Sequence, residues 1–264
     1  MTDMHAAEET AGLPPAPATG AAPPPSLPDL AQLALFLDFD GTLVHLAERP
    51  GDVHAPDELI EALGRLAGRL DGALAIVTGR PSADIDHFLE PLVLTVAGVH
   101  GLERRFADGR RERHERVDLL DPLRGEAAAL AAGTPGLLVE DKEVSLAVHY
   151  RQAPDAEAAV LALAERALQR GPGLKLLRGK MVVELMPEGV DKGTAIAELL
   201  KEPPFAGRSP VFAGDDVTDE AGFALVNAQG GTSIRVGRDG RPSEARHGLA
   251  DVDELRAWLR TLLD

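Results

Sequence analysis

The sequence predicts an α/β protein in which a parallel sheet is interrupted by an inserted α+β domain. Two observations support this prediction. Short apolar runs alternate with amphipathic segments in the first part of the chain and again near its end, which is the β-α-β order of a parallel sheet. From about residue 111 to residue 186 the order changes to helix, two strands, helix, two strands. This block is typical of a small domain with an open antiparallel sheet.

The elements of the core follow from the spacing of apolar residues. Ala34–Leu37 is a continuous apolar run that ends in Asp38, as expected for a strand buried on both faces. Residues 57–70 carry leucines at helical spacing, directly after Pro56. The other core elements are predicted as strands at 73–77, 92–96, 211–213 and 232–236, and as helices at 82–89, 192–200, from 219 and at 252–263.

The inserted block has its own pattern. It is predicted to contain helices at 119–132 and 154–169 and strands at 137–140, 144–150, 174–177 and 181–185. Arg178-Gly179-Lys180 separates the last two strands and is a hairpin signal. The sequence therefore predicts a core domain formed by 29–110 and 187–264, and a cap domain formed by 111–186.

The first 28 residues are rich in Ala and Pro and are predicted to be disordered. They lack the basic start and apolar centre of a secretory signal. Nowhere does the sequence contain the run of about 18 apolar residues that would span a bilayer. A cytoplasmic protein is therefore the expectation.

Charge and cysteine content narrow the possible chemistry. The chain has 27 Lys and Arg against 43 Asp and Glu, a net charge of −16, which argues against a nucleic-acid partner. The same acidity can equally serve solubility. Since there is no cysteine, disulfides and thiolate metal sites are excluded, whereas oxygen ligands for a hard cation are available.

Two polar clusters follow the first two predicted strands, where ligands bind in open parallel sheets. Asp38 and Asp40 follow the first strand, and Gly41 permits a turn that brings the two carboxylates together. The same sequence is also common in ordinary turns. Thr78 and Arg80 flank Gly79 after the second strand, where a hydroxyl and free backbone N–H groups can hold phosphate.

Two further clusters lie near the end of the chain. Lys192 opens a predicted helix and can place its charge on a phosphoryl oxygen, or be an ordinary solvated lysine. Asp215, Asp216 and Asp219 follow another strand. Three buried carboxylates would repel one another without a cation. A divalent metal is therefore favoured over a helix-capping role for Asp219.

Taken in order, the four clusters resemble the motifs of haloacid-dehalogenase-type phosphohydrolases, which implies a Rossmann-like parallel-sheet core. Other stretches narrow the resemblance to trehalose-6-phosphate phosphatases, from about Leu35 to Val236. They are Ala97–Glu103, Val139–Lys142 with His149–Arg151, Val182–Pro187 and Phe212–Phe223. The resemblance implies a Mg²⁺-dependent enzyme that hydrolyses trehalose 6-phosphate to trehalose and inorganic phosphate, the last step of trehalose biosynthesis.

The resemblance also implies catalytic roles. Asp38 would attack phosphorus and form an aspartyl-phosphate. Asp40 would protonate the leaving oxygen of the sugar and later deprotonate the hydrolytic water. Thr78 and Lys192 would bind the phosphoryl oxygens.

The metal ligands implied by the resemblance are carboxylates and one backbone oxygen. Mg²⁺ would be held by Asp38, by the backbone carbonyl of Asp40 and by Asp215. Asp216 or Asp219 would be a further ligand or would support the other ligands.

Substrate recognition is expected to combine the motifs with the cap. The predicted substrate-binding residues are Asp38, Phe39, Asp40, Arg80, His100, Lys142, His149, Arg151, Lys180 and Glu184. Glu184 is favoured because one carboxylate can bind two sugar hydroxyls. The alternatives are that polar residues alternate along any half-exposed strand and that His100 is a structural imidazole.

Two other functions are compatible with parts of the pattern. A capped phosphatase of the same superfamily can act on another sugar phosphate, such as sucrose 6-phosphate or mannosyl-3-phosphoglycerate, but Glu140–Lys142 and His149–Arg151 favour trehalose. A catalytically inactive binding module that accompanies a synthase would ordinarily lack one of the paired acids. Here all the expected groups are present: Asp38, Asp40, Lys192 and Asp215. We therefore expect a free-standing, monomeric phosphatase.

Overall fold

A computed structural model describes residues 22–27, 29–47, 49–114, 120–179 and 181–263. Their strands form two sheets, one of eight strands and one of four. Among the described residues, no helix has both the length and the apolar character needed to cross a bilayer.

The predicted α/β fold is confirmed, with small shifts at the ends of the elements. The strands are β1 (Leu33–Leu37), β2 (Leu74–Val77), β3 (Thr95–Gly98), β4 (Glu103–Arg105), β5 (Arg111–Arg113), β6 (Leu138–Asp141), β7 (Leu146–His149), β8 (Leu174–Gly179), β9 (Val182–Pro187), β10 (Ser209–Gly214), β11 (Thr232–Val236) and β12 (His247–Leu249). The α-helices are α1 (Asp57–Arg69), α2 (Ser82–Leu89), α3 (Asp121–Ala132), α4 (Glu157–Gln169), α5 (Lys192–Leu199), α6 (Glu220–Ala228) and α7 (Val252–Thr261).

The core sheet has the order β12-β11-β10-β1-β2-β3-β4-β5. Its strands run parallel from β12 to β3. β1 lies inside the sheet, and Ala34–Leu37 is buried on both faces, as the apolar run predicts. Because parallel strands end at the same edge, the loops after β1, β2 and β10 meet there.

The core sheet also contains a hairpin that the sequence analysis missed. β4 and β5 pair antiparallel with each other, and β4 pairs antiparallel with β3. Their residues are mainly charged, so they lack an apolar pattern, and ion pairs join the strands instead. Arg104 lies 2.7 Å from Glu112, and Arg113 lies 3.5 Å from Glu103. Residues 111–113, predicted as cap, therefore belong to the core sheet.

Residues 22–27, which belong to the predicted disordered tail, have a defined structure. Ala22 forms a β-bridge with His247 in β12. Like β4 and β5, the strand β12 was not predicted from the sequence. The carbonyl oxygen of Pro23 lies 3.1 Å from His247 Nδ1, and Leu27 packs on the core. Backbone pairing at the edge of a sheet orders this Pro-rich segment, which the composition alone does not indicate. Residues 1–21 and 28 lie outside the described residues.

The residues from 120 to 187 form a second α+β unit, which we call the inserted unit. Its sheet is antiparallel with the order β6-β7-β9-β8. α3 and α4 pack against this sheet around a separate apolar cluster. A smaller cluster joins the two units and consists of Val99, Leu102, Val144 and Met186. The inserted unit thus has its own core and an apolar contact with the loop that follows β3.

Phe212 in β10 gives a test of the core packing. Its ring is fully buried and lies 5.3 Å from the ring of Phe223. We expect Phe212→Ala to lower the free energy of unfolding by about 3–5 kcal/mol, because it leaves a cavity. Urea unfolding would measure the change, with the exposed Val93→Ala as a control expected to stay within about 0.5 kcal/mol of the wild type. Equal effects of the two substitutions would contradict the packing described here.

Candidate active site

The candidate site is a cleft of about 940 Å³ between the carboxyl edge of the core sheet and the inserted unit. Both units contribute to its walls, and residues from all four predicted clusters line it. The convergence follows from the parallel topology, since β1, β2 and β10 are neighbours that end at this edge.

Lys192 links two buried carboxylates at one side of the cleft. It is the first residue of α5, which Asp191 caps through a reciprocal capping box with Thr194. Lys192 Nζ donates to Asp38 Oδ1 at 2.7 Å and to Asp219 Oδ1 at 2.6 Å. All three side chains are buried. One ammonium group thus links the start of a helix to the loops after β1 and β10.

The cluster of Lys192, Asp38 and Asp219 has more negative than positive groups, because two carboxylates share one ammonium. Burial raises the pKa of Asp38 to about 7, although Lys192 opposes the change. Burial also raises the pKa of Asp219, again against the effect of Lys192. Burial disfavours the charged form of Lys192, but Asp219 and Asp38 outweigh it and raise its pKa. The cluster therefore has too little positive charge to balance its two carboxylates.

Three carboxylates of this region fit a hard cation. Oxygen atoms of Asp38, Asp215 and Asp219 lie within 4.8 Å of one another, and carboxylate oxygens are the ligands that Mg²⁺ prefers. Gly41 permits the close approach of Asp215. It has a φ of +78°, and a Cβ there would lie 2.6 Å from Asp215 Cγ.

Asp216 and Asp219, the two candidates for a further metal ligand, differ in where their side chains lie. The side chain of Asp216 faces Arg241, with 3.4 Å between Oδ1 and Nη1, while its backbone N donates to Asp219 Oδ2 at 2.9 Å. A capping box between Asp216 and Asp219 fixes this turn. Asp219 therefore joins the carboxylate cluster in place of Asp216.

The second acid of the first motif is held by an arginine. Arg80 Nε lies 2.6 Å from Asp40 Oδ2, and Arg80 Nη2 lies 2.8 Å from Asp40 Oδ1. The guanidinium also stacks 5.0 Å from the ring of Phe88. Thr78 Oγ1 accepts from the backbone N of Arg80 at 3.1 Å. Arg80, predicted to bind substrate, thus contacts Asp40, and a bidentate pair of this kind fixes the carboxylate plane.

Phe39 does not reach the cleft. Its side chain is fully buried in the core and stacks on Phe88 with 5.8 Å between ring centroids. Alternation along the extended chain after β1 turns Asp38 and Asp40 to one side and Phe39 to the other. The side chain of Phe39 is therefore not exposed to the cleft, and a substrate contact of this residue stays a prediction.

Lys142 and Glu184 of the inserted unit meet His100 of the core. Lys142 Nζ lies 3.2 Å from Glu184 Oε2 and donates to the carbonyl oxygen of Gly79 at 2.9 Å. His100 Nε2 lies 3.5 Å from Glu184 Oε2. Gly79 is required here because a Cβ would lie 2.7 Å from His100 Nε2. These contacts tie the inserted unit to the loops after β2 and β3.

Glu184 is a buried anion with several donors. Burial alone would raise its pKa, but Lys142, His100 and the Ser145 hydroxyl hold the pKa well below its usual range. Burial lowers the pKa of His100 despite the nearby Glu184. The carboxylate that the sequence analysis predicts to bind two sugar hydroxyls is therefore already bonded within the protein.

His149 and Arg151 of the inserted unit also line the cleft. His149 Nε2 lies 2.9 Å from Glu140 Oε2, and both residues line the cleft. Arg151 is exposed and has Nη1 3.5 Å from the carbonyl oxygen of Ala47. Lys180 lies outside the described residues.

Sequence reasoning missed two features of the site. Ser145 is buried and donates to Glu184 Oε1 at 2.6 Å, but a lone serine in an apolar run carries no separate signal in the sequence. Residues 46, 47, 49 and 51–53 also contribute to the wall of the cleft. Their place after the first motif was the only indication available.

The fold resembles that of phosphatases of the haloacid dehalogenase superfamily. A phosphatase of the haloalkanoate (HAD) enzyme superfamily from Bacteroides thetaiotaomicron has a TM-score of 0.61 at 18% identity, covering 96% of this chain and 98% of that chain. A crystal structure of a trehalose-6-phosphate phosphatase related protein has a TM-score of 0.74 at 30% identity, covering 88% of this chain and 96% of that chain.

The chain belongs to the trehalose-phosphatase family, whose model matches residues 36–254. It is 45% identical over 235 residues to a probable trehalose-phosphate phosphatase of Sinorhizobium fredii, covering 89% of both chains. It is 41% identical over 236 residues to the trehalose-6-phosphate phosphatase of Escherichia coli, covering 88% of this chain and 87% of that protein. The family expected from the motifs is confirmed.

The charge of Glu184 gives a test based on pH. Its folded pKa lies below the value of about 4.3 in an unfolded chain, so its stabilisation is fully present above about pH 4.3 and is lost as the pH falls through the folded pKa. We expect Glu184→Gln to lower the free energy of unfolding by about 3 kcal/mol at pH 7. This deficit should shrink as the pH falls below about 4.

Denaturant unfolding over a range of pH values would measure this deficit. The exposed Glu188→Gln removes the same charge outside the cleft and should have little effect at any pH. A deficit for Glu184→Gln that does not change with pH would show that the charge of Glu184 is not responsible.

Proposed function

We propose that this protein hydrolyses trehalose 6-phosphate to trehalose and inorganic phosphate through an aspartyl-phosphate, as the last step of trehalose biosynthesis. The main support is that Asp38, Asp40 and Lys192 all line the cleft at the ends of the strands. In addition, the chain is 41–45% identical to two relatives that are named as trehalose-phosphate phosphatases. The cleft between the two units offers room for both the phosphoryl group and the sugar.

Asp38 is our proposed nucleophile. One oxygen of Asp38 would attack phosphorus as the bond from phosphorus to the sugar oxygen breaks. Asp38 Oδ1 is bonded to Lys192 and Oδ2 accepts from Thr42 Oγ1 at 3.0 Å, so both oxygens are held in defined positions. This fixed geometry supports in-line attack, since orientation is a large part of the rate enhancement in phosphoryl transfer.

Asp40 is our proposed acid and base. It would give a proton to the leaving sugar oxygen, and then take one from the water that hydrolyses the aspartyl-phosphate. In the structure Asp40 is paired with Arg80 through two hydrogen bonds, so it would have to leave Arg80 and take up a proton before it could serve as the acid. Thr78 and Lys192 would bind the phosphoryl oxygens, because a hydroxyl and an ammonium lie at the base of the cleft.

We propose that the enzyme depends on Mg²⁺. Asp38, Asp215 and Asp219 would hold the ion together with the backbone carbonyl of Asp40, and Asp216 would keep Asp219 in place. When bound, the ion would supply the positive charge that the buried carboxylates lack and would polarise a phosphoryl oxygen.

We propose that the inserted unit acts as a cap over the core, whose described residues are 22–27, 29–47, 49–113 and 188–263. Substrate contacts are proposed for cleft-lining residues of both units: Arg80, His100, Lys142, His149, Arg151 and Glu184. A cap would exclude bulk water from the aspartyl-phosphate and would recognise the sugar. Lys180 also stays a prediction for the sugar contact.

Substrate and nucleophile can be tested together by phosphate release. The panel would contain trehalose 6-phosphate, sucrose 6-phosphate, glucose 6-phosphate and p-nitrophenyl phosphate. We expect kcat/KM to be highest for trehalose 6-phosphate. Asp38→Asn should lower it by on the order of 10³-fold or more, because the nucleophile is lost.

The exposed Asp155→Asn, which makes the same chemical change outside the cleft, should keep wild-type activity. If trehalose 6-phosphate is no better than glucose 6-phosphate, the substrate proposal is wrong. Undiminished activity of Asp38→Asn would remove the nucleophile assignment.

Metal binding can be tested without activity. At about 100 times its dissociation constant, Mg²⁺ should raise the unfolding midpoint by roughly 5–10 °C, measured by differential scanning calorimetry. Asp215→Asn should abolish most of this shift, whereas Asp216→Asn should retain most of it, because Asp216 faces Arg241. The same shift in Asp215→Asn and the wild type would contradict the ligand set.

A further inference from the structure

Ser145 is a buried hydroxyl with one side-chain partner. It lies next to Val144 and Leu146 in an apolar stretch and is fully buried. A hydroxyl in such a place is costly unless it is hydrogen bonded. Its Oγ donates to Glu184 Oε1 at 2.6 Å, so this serine is matched to that carboxylate.

The two oxygens of Glu184 have different partners. Oε1 accepts from Ser145, while Oε2 lies 3.2 Å from Lys142 Nζ and 3.5 Å from His100 Nε2. A carboxylate held through one oxygen keeps the other in a fixed direction. The bond from Ser145 therefore determines which way Oε2 faces, towards Lys142 of its own unit and His100 of the core.

Ser145 also sets the backbone turn that carries Lys142. The backbone N of Lys142 donates to the carbonyl oxygen of Ser145 at 3.1 Å, and Val144 N donates to the carbonyl oxygen of Lys142 at 2.8 Å. Lys142 Nζ then reaches the carbonyl oxygen of Gly79, next to Thr78. One residue thus orients both members of the Lys142–Glu184 pair, through its backbone and through its hydroxyl.

We propose that Ser145 is a positioning residue that sets the preference for a glycosyl phosphate over a small phosphate ester. Its hydroxyl orients Glu184, and through it Lys142 and His100, where the sugar part of the substrate meets the inserted unit. The inference rests on the proposed function. A small ester does not extend to the inserted unit and does not depend on this orientation.

Ser145→Ala tests the proposal because it removes the hydroxyl and keeps the backbone turn. We expect KM for trehalose 6-phosphate to rise about tenfold with little change in kcat, since a hydrogen bond to a charged group is lost. For p-nitrophenyl phosphate, kcat/KM should stay within about twofold of the wild type, as expected for independent sites.

Ser233→Ala is the matched control. Ser233 is another fully buried serine, and its Oγ donates to Asn227 Oδ1 at 2.7 Å in the core. It should lower the unfolding midpoint in a similar way and leave KM for trehalose 6-phosphate unchanged. A folded Ser145→Ala protein with unchanged KM overturns the proposal, as does an equal loss with both substrates.

A second variant tests the proposal if the Ser145→Ala protein folds poorly. Ser145→Cys fills a similar volume and donates only weakly, so the same increase in KM is expected. Failure of the proposed function would be visible in the wild type, as turnover of p-nitrophenyl phosphate without preference for trehalose 6-phosphate. Failure of this inference would be visible only in the comparison of the Ser145 variants with the wild type.

Discussion

The contact of Lys192 with Asp38 and Asp219 is the interaction on which the rest of the site depends. It connects the start of α5 with the loops after β1 and β10, and all three groups are buried. Losing one partner would leave an uncompensated buried charge, which is among the most destabilising single changes in proteins. The same group has fewer positive than negative charges. That imbalance suits it to a divalent cation, whose charge would in turn attract a phosphoryl group.

A second charged group connects the two units. Glu184 of the inserted unit faces His100 of the core, and Lys142 bonds to the backbone of Gly79. Gly79 follows Thr78, the hydroxyl that we propose binds phosphate. The part of the cleft that would contact the sugar is therefore attached directly to the turn that would contact the phosphoryl group. Lys142 thus joins the two proposed contact regions of the cleft through one hydrogen bond to the backbone of Gly79.

Particular elements show how far the sequence can predict this structure. β1 and the polar residues after it were predictable, because an apolar run that ends in acid has few other interpretations. The β4–β5 hairpin was not, since cross-strand ion pairs rather than apolar packing join its strands. Asp216 and Asp219 look equivalent in the sequence. A capping box that forms only in the folded turn separates their roles.

The sequence by itself determined the parallel core, the inserted unit and the four motifs, because these depend on periodicity and on residues close together in the chain. Only the tertiary structure decided that Arg80 holds Asp40 and that Ser145 holds Glu184. These partners lie 40 and 39 residues apart. Strand order and register bring them together, and a hydrogen bond needs its two atoms within about 3 Å of each other. No local pattern specifies such a distance.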